Sequence, residues 1–177
     1  RRACGSHRAG PTELTRLGGM ILDAEIPIFL NSEEDTTRLG VWFAHTLNHG
    51  DTLLLSGSIG AGKSHFARAF IRARLGREED IPSPTFTLVQ TYDADVEIWH
   101  SDLYRLSHPD EVLELGLDEA FTSAICLIEW PDRLGSLAPP TAISIGLTPL
   151  GEGRLAQISF SGRPELRAAL LKDWQND

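Results

Sequence analysis

The chain has 177 residues, of which 41% are hydrophobic and 23% charged, with a formal net charge of −9. That length suits one globular domain, the apolar content excludes a disordered chain, and no apolar run approaches the roughly 20 residues that span a bilayer. So acidic a chain is a poor autonomous binder of nucleic acid, because phosphate backbones need positive charge opposite them.

Residues 1–19 are rich in Gly and Arg and show no periodicity; Arg1, Arg2, Arg8 and Arg16 stand there against Glu13 alone. They read as a disordered or vector-derived extension ahead of one domain over 20–177, which opens at the single methionine, Met20. No signal-peptide apolar segment is visible, and an Arg-rich transit peptide fits less well, because amphipathic pattern is lacking. Cys4 and Cys126 are the only cysteines. Cys126 sits in an apolar run and reads as a buried thiol, which suits a reducing cytoplasm.

Ile26 to Leu30 reads as a short strand. Asn31 or Ser32 can cap a helix over 33–47, whose first turn is acidic and whose Leu39, Trp42, Phe43 and Leu47 recur at helical spacing. Asn48 to Asp51 is a turn, Thr52 to Ser56 a buried strand, and Lys63 to about Leu75 a helix ended by Gly76. Strands are expected over 85–92 and 96–102, joined as a hairpin by Asp93-Ala94-Asp95. Pro109 starts a helix after Ser107. Ala124 to Glu129 is an apolar strand ending in an acid. Ala142 to Leu147 and Leu155 to Phe160 are two further strands, and Pro164 to Trp174 a closing helix. The class is α/β, three layers around a mixed central sheet.

Between the strand at 52–56 and its helix stands Gly57-Ser58-Ile59-Gly60-Ala61-Gly62-Lys63-Ser64, a full G-x-x-x-x-G-K-[ST] pattern. Its glycines let the backbone aim N–H groups inward at phosphate oxygens, and the helix that follows presents its positive end to the same anion. Lys63 can reach the β- and γ-phosphates, and Ser64 can place its hydroxyl on Mg²⁺. His65 in the first helical turn joins the loop as a nucleotide-binding position. Lys63 and Lys172 are the only lysines, and one of them stands where this loop demands Lys.

A phosphate cradle of this kind also needs an acid at the end of a neighbouring strand, near the metal. Glu129, closing Ile125-Cys126-Leu127-Ile128, supplies one, unless it is simply the polar residue at a strand exit. Asp102 is a second candidate; a strand-end Asp can equally cap or turn the chain. His100 reads as a structural or edge residue. Pro82-Ser83-Pro84-Thr85 is stiff and can hold Thr85 or Ser83 beside a γ-phosphate, or act as a rigid connector. Trp130 can stack on a ligand or pack in the core. Arg68, Arg72, Arg74 and Arg77 on and after the loop's helix read as a solvated face.

Taken together these motifs resemble the bacterial TsaE (YjeE) family of P-loop ATPases, required for the threonylcarbamoyl modification of adenosine in tRNA. The resemblance covers Pro27 to Leu147 and rests on Gly57 to Ser64, Ser83 to Val89, His100 to Leu106, and Ile128-Glu129-Trp130-Pro131. It implies Mg²⁺-dependent ATP hydrolysis that cycles a complex with the TsaD and TsaB proteins, and contact with tRNA only through them. It further implies that Ser64 and Glu129 hold Mg²⁺, that Asp102 acts near the metal or the attacking water, and that Lys63 binds the phosphates. Thr85 is then in a switch-like loop, with Trp130 and Thr36 near the nucleotide. The chain departs from the family pattern at Ser58, usually an acid, and at Ser64, usually Thr. A guanine-specific switch is disfavoured, because no Asn/Thr-Lys-x-Asp element occurs. A P-loop small-molecule kinase and a nucleotide-dependent interaction module without turnover are the alternatives.

Overall fold

The computed structural model describes residues 24–175. The expected extension, residues 1–19, lies outside them. Seven strands form one mixed sheet: β1 (Ile26–Leu30), β2 (Thr52–Ser56), β3 (Val89–Asp93), β4 (Glu97–Asp102), β5 (Ile125–Glu129), β6 (Ile143–Leu150) and β7 (Gly153–Ser159). Their spatial order is β1-β7-β6-β2-β5-β4-β3. The centre is parallel, with β2 between β6 and β5 and β4 beside β5. Antiparallel pairs close both edges: β1 with β7, β7 with β6, and β3 with β4.

The helices are α1 (Glu33–Thr46), α2 (Lys63–Leu75), the short α3 (Glu111–Glu114) and α4 (Leu117–Ser123), and α5 (Pro164–Gln175). Glu25–Ser161 forms one compact unit, and α5 belongs to a second. α1 starts at Ser32, whose hydroxyl accepts from Asp35 N, and carries Glu33, Glu34 and Asp35 against the positive end of its dipole. Its face of Leu39, Phe43 and Ala44 is fully buried. Phe43 meets Phe66 of α2 edge-on at 6.0 Å and stacks near Phe160 at 6.2 Å. Gly40 lets the two helices approach, since a Cβ there would lie 2.9 Å from Phe66 O.

The opposite face of the sheet buries Cys126 and Ile128 against Leu103, Val112, Leu117 and Leu134, with Leu54 of β2 packed on that cluster. β2 therefore sends Leu53 and Leu55 to one layer and Leu54 to the other, and the three-layer α/β expectation holds. Burial pushes the Cys126 thiol up to about 12.

Three local expectations are corrected. Residues 85–88 are turn, not strand, because Leu88 sits at φ 68° and its N–H returns to Pro84 O at 2.7 Å. The helix expected from Pro109 is two short ones, broken by Gly116 at φ 80°. Arg74 is not on a solvated face: its guanidinium donates to Ala44 O and Leu47 O at 2.6 and 2.8 Å, capping the C-terminus of α1, and forks onto Asp95. Arg72 likewise reaches Glu79 O at 3.0 Å. β3 and β4 pair as the expected hairpin, with β3 shortened to Val89–Asp93, and the strand ending at Glu129 stands where it was expected.

Candidate nucleotide-binding site

The loop 57–64 leaves β2 at the carboxyl edge of the parallel strands and runs straight into α2, whose N-cap is Gly62 at φ 106°. No side chain caps this helix, so its first N–H groups face the loop's concavity. The two motif glycines are favoured for different reasons, a backbone clash at Gly57 and the left-handed φ of 106° at Gly62. A Cβ at Gly57, with φ 143°, would lie 2.4 Å from Leu147 O, and one at Gly62 would lie 2.8 Å from Arg154 Nε. Gly60, which the motif leaves free, has open space around it.

Lys63 is almost buried and its Nζ donates to Gly57 O at 2.7 Å and Ser58 O at 2.9 Å. Desolvation lowers its pKa, while the charges of Glu129 and Asp102 act the other way. The same ammonium stands 4.5 Å from the centre of the Trp130 ring. Trp130 is half-buried at φ 57°, a left-handed conformation that costs a non-glycine residue about 1–3 kcal/mol. Its ring also contacts that of Tyr104, at 4.9 Å. The indole is thus part of the cleft wall and not of the core.

The two acids come together through sheet register. Asp102 and Glu129 are paired residues at the ends of the adjacent parallel strands β4 and β5, and Leu55 of β2 pairs with Glu129. Both side chains are buried. Ser64 Oγ donates to Glu129 Oε1 at 3.0 Å, and the other carboxylate oxygen meets His100 Nε2 at 2.7 Å. His100 is fully buried in β4, so it orients Glu129 from behind and is not an edge residue. Asp102 Oδ2 accepts from Thr85 Oγ1 at 3.1 Å, and Oδ1 from Tyr104 N at 2.9 Å. Thr85 is linked in turn to Ser83 Oγ at 2.8 Å. The proline loop is thereby tied to Asp102, the second strand-end acid.

These residues line one open cleft of about 440 Å³, which Ile59, Gly60, Gly62, Lys63, Ser64, His65, Thr85, Asp102, Glu129 and Trp130 share with Glu33, Arg68, Tyr104 and Arg154. Among the described residues no three His, Cys, Asp or Glu side chains converge as a cage. The hydroxyl of Ser64 with the two strand-end carboxylates would suit a cation that completes its shell with other oxygen ligands, as Mg²⁺ does. Thr36 is fully buried in α1 and does not line the cleft, and its Oγ1 has no hydrogen-bond partner among the described residues. Its neighbour Thr37 instead meets His65 Nε2 at 2.8 Å, close to Glu33 O at 3.2 Å. Sequence reasoning missed Arg154. The signal was available: β7 alternates inward through Ala156 and Ile158, and Arg154 occupies the same row, where an apolar residue is expected.

No helix among the described residues is long and apolar enough to cross a membrane. The YdiB crystal structure from Bacillus subtilis superposes with a TM-score of 0.70 at 27% identity, covering 86% of this chain and 97% of that one. The tRNA threonylcarbamoyladenosine biosynthesis protein TsaE of Rickettsia conorii is 40% identical over 84% of this chain and 86% of its own length. Its namesake from a Nostoc species is 38% identical over 79% and 89%. The model of the family described as threonylcarbamoyl adenosine biosynthesis protein TsaE matches residues 30–155, and with the P-loop, the paired strand-end acids and the mixed sheet already in place, the chain belongs to the TsaE family.

Proposed function

We propose that this chain binds ATP with Mg²⁺ in the cleft above and hydrolyses it to ADP and phosphate, in support of threonylcarbamoyl modification of adenosine in tRNA. The observation that carries the reading is the contact of Ser64 with Glu129, at the N-terminus of α2, with Lys63 and Asp102 alongside. A hydroxyl, two acids, a lysine and uncapped N–H groups at one spot are what phosphoryl transfer requires: positioning and charge stabilisation.

In this reading the loop N–H groups and Lys63 hold the β- and γ-phosphates. Ser64, Glu129 and Asp102 hold the metal. Mg²⁺ supplies neutralisation of charge on the phosphate oxygens. His100 fixes the orientation of Glu129 toward the metal position, and Asp102 with Thr85 positions the attacking water. Trp130 shields the ammonium of Lys63 from solvent and flanks the nucleotide. The loop of Ser83, Pro84 and Thr85 acts as the switch, ordered by the γ-phosphate through Thr85 and released after hydrolysis.

The partners in this reading are TsaD and TsaB, with tRNA reached through them, in the cytoplasm. An acidic chain supports docking on protein over direct binding of RNA. Ile59 on the loop and Phe86 on the switch segment are both almost four-fifths exposed, at 79% and 78%, and such apolar surface beside a nucleotide site suits a partner whose grip depends on the nucleotide. The test is calorimetric titration with Mg-ATP of the chain and its Lys63→Ala variant, followed by phosphate release for the chain alone, with TsaD–TsaB, and with tRNA added. Loss of at least about tenfold in affinity is expected for the variant, and faster release with the partners. Equal affinity removes the nucleotide reading; equal rates without ATP-dependent association remove the partner-driven cycle.

A further inference from the structure

We infer that the groove between α1 and α2 is a docking site for an acidic segment of a protein partner, gripped by Arg68, Arg72 and Arg77. The inference rests on the reading above that this chain docks on protein, and adds to it a face separate from the exposed Ile59 and Phe86.

Four observations carry it. The groove is an open hollow of about 440 Å³, with Val41 of α1 and Ala69 and Ala73 of α2 as its apolar lining. The three arginines line it against one acid, Glu78, in a chain whose net charge is −9. Arg68 is half-buried, and among the described residues no hydrogen bond or ion pair engages it. A guanidinium that has given up water without a partner calls for an acceptor. Glu78, whose side chain is 92% exposed, already brings a carboxylate oxygen to 3.8 Å from Arg72 Nε, so the groove receives a carboxylate from within the chain itself.

Charge and spacing choose the occupant. Arg68 and Arg72 are one turn apart on α2, about 6 Å along its axis, and Arg77 lies past the C-cap Gly76. Their heads do not converge: Arg72 Nε donates to Glu79 O at 3.0 Å, Arg77 pairs with the Glu79 carboxylate, and Arg68 is unengaged. Arg72 keeps its terminal N–H donors for a further carboxylate. A compact anion meets one such arginine at a time. A segment with successive carboxylates meets all three and lays the apolar side chains between them on Val41, Ala69 and Ala73. Nucleic acid carries its charge past the groove onto an acidic chain, whereas a short acidic segment keeps its charge within the patch, and salt screens the rest beyond about 10 Å. Arg68 also lines the nucleotide cleft, so a segment held there ends at the rim of that cleft.

The test titrates purified TsaD–TsaB onto the immobilised chain with Mg-ATP present, for the parent, Arg77→Glu, the double variant Arg72→Glu with Arg77→Glu, and Glu78→Gln. Neither Arg72 nor Arg77 lines the nucleotide cleft, so ATP affinity by calorimetry should stay within about twofold of the parent. The double variant should bind the complex at least about tenfold more weakly, the worth of one charge-assisted contact. Arg77→Glu should lose a smaller factor, and Glu78→Gln should bind about twofold more tightly, because a competing carboxylate is gone. Parental affinity in both arginine variants overturns the inference. So does weaker binding by Glu78→Gln, or a loss in the double variant that follows a fall in its melting temperature and is absent from the exposed Arg77→Glu. Loss of tRNA binding by the chain alone in these variants, with TsaD–TsaB still held, overturns it in favour of RNA. If the parent does not associate with TsaD–TsaB, the docking reading itself fails, and this inference with it.

Discussion

Gly57→Ala and Gly60→Ala change the same loop by the same methyl group, and the structure separates them. Both glycines have positive φ, 143° and 80°, so each alanine carries backbone strain of about 1–3 kcal/mol. At Gly60 the new methyl meets none of the described residues within 4 Å, and the strain is the whole cost. At Gly57 it would lie 2.4 Å from Leu147 O and 3.1 Å from Ala61 Cβ. The oxygen belongs to β6, which is held by β2 and β7, so the loop has to give way. Such overpacking adds about 1–3 kcal/mol, for a total of about 4 kcal/mol. At about 2–4 °C per kcal/mol for a chain of this size, Gly57→Ala should melt about 8–16 °C lower and Gly60→Ala, at about 2 kcal/mol of strain, about 4–8 °C lower. Displacing Gly57 also moves the carbonyl that Lys63 Nζ contacts at 2.7 Å, so ATP affinity should fall by at least about tenfold. Scanning calorimetry and titration with Mg-ATP measure both. Equal melting temperatures for the two variants, or parental ATP affinity in Gly57→Ala, would refute the steric account of the loop.

Glu129→Gln and Asp102→Asn should keep the fold while weakening the Mg²⁺ dependence of ATP binding and phosphate release; if both variants retain parental Mg²⁺-dependent turnover, the metal assignment is wrong. Asp95→Asn tests the fork from Arg74, whose hydrogen bonds hold the Asp95 carboxyl below its usual value. A depressed carboxyl contributes stability above its unfolded pKa and loses it as pH falls through the folded one, so the melting gap between parent and variant should be present at neutral pH and close below about pH 4. A gap that persists at about pH 2 would contradict it. Cys126, buried and with its thiol pushed up to about 12, should resist alkylation in the native protein and react only after unfolding; rapid native modification, read at that peptide by mass spectrometry, would show that the β5 layer opens.

The loop from Gly57 to Ser64 was legible in the sequence because its chemistry is local: eight consecutive residues contain the turn, the donors and the lysine. The same holds for β2, α1 and α2, whose caps and apolar spacing need no distant partner, and for β5 with its terminal acid. Segment 85–88 was misread as strand, since its β-forming residues say nothing of the left-handed Leu88 that turns the chain back onto Pro84. Arg74 was misread as solvated, because its acceptors lie at the end of another helix and in the β3–β4 turn. What only the tertiary structure decided is which residues meet. The parallel pairing of β4 with β5 sets Asp102 beside Glu129 and places His100 behind the acid that Ser64 faces. The antiparallel return of β7 carries Arg154 to Gly62, 92 positions earlier in the chain. Sheet register between distant segments is set by burial of whole faces and not by any one residue, so a strand's pattern can show that Arg154 is out of place without showing what it reaches.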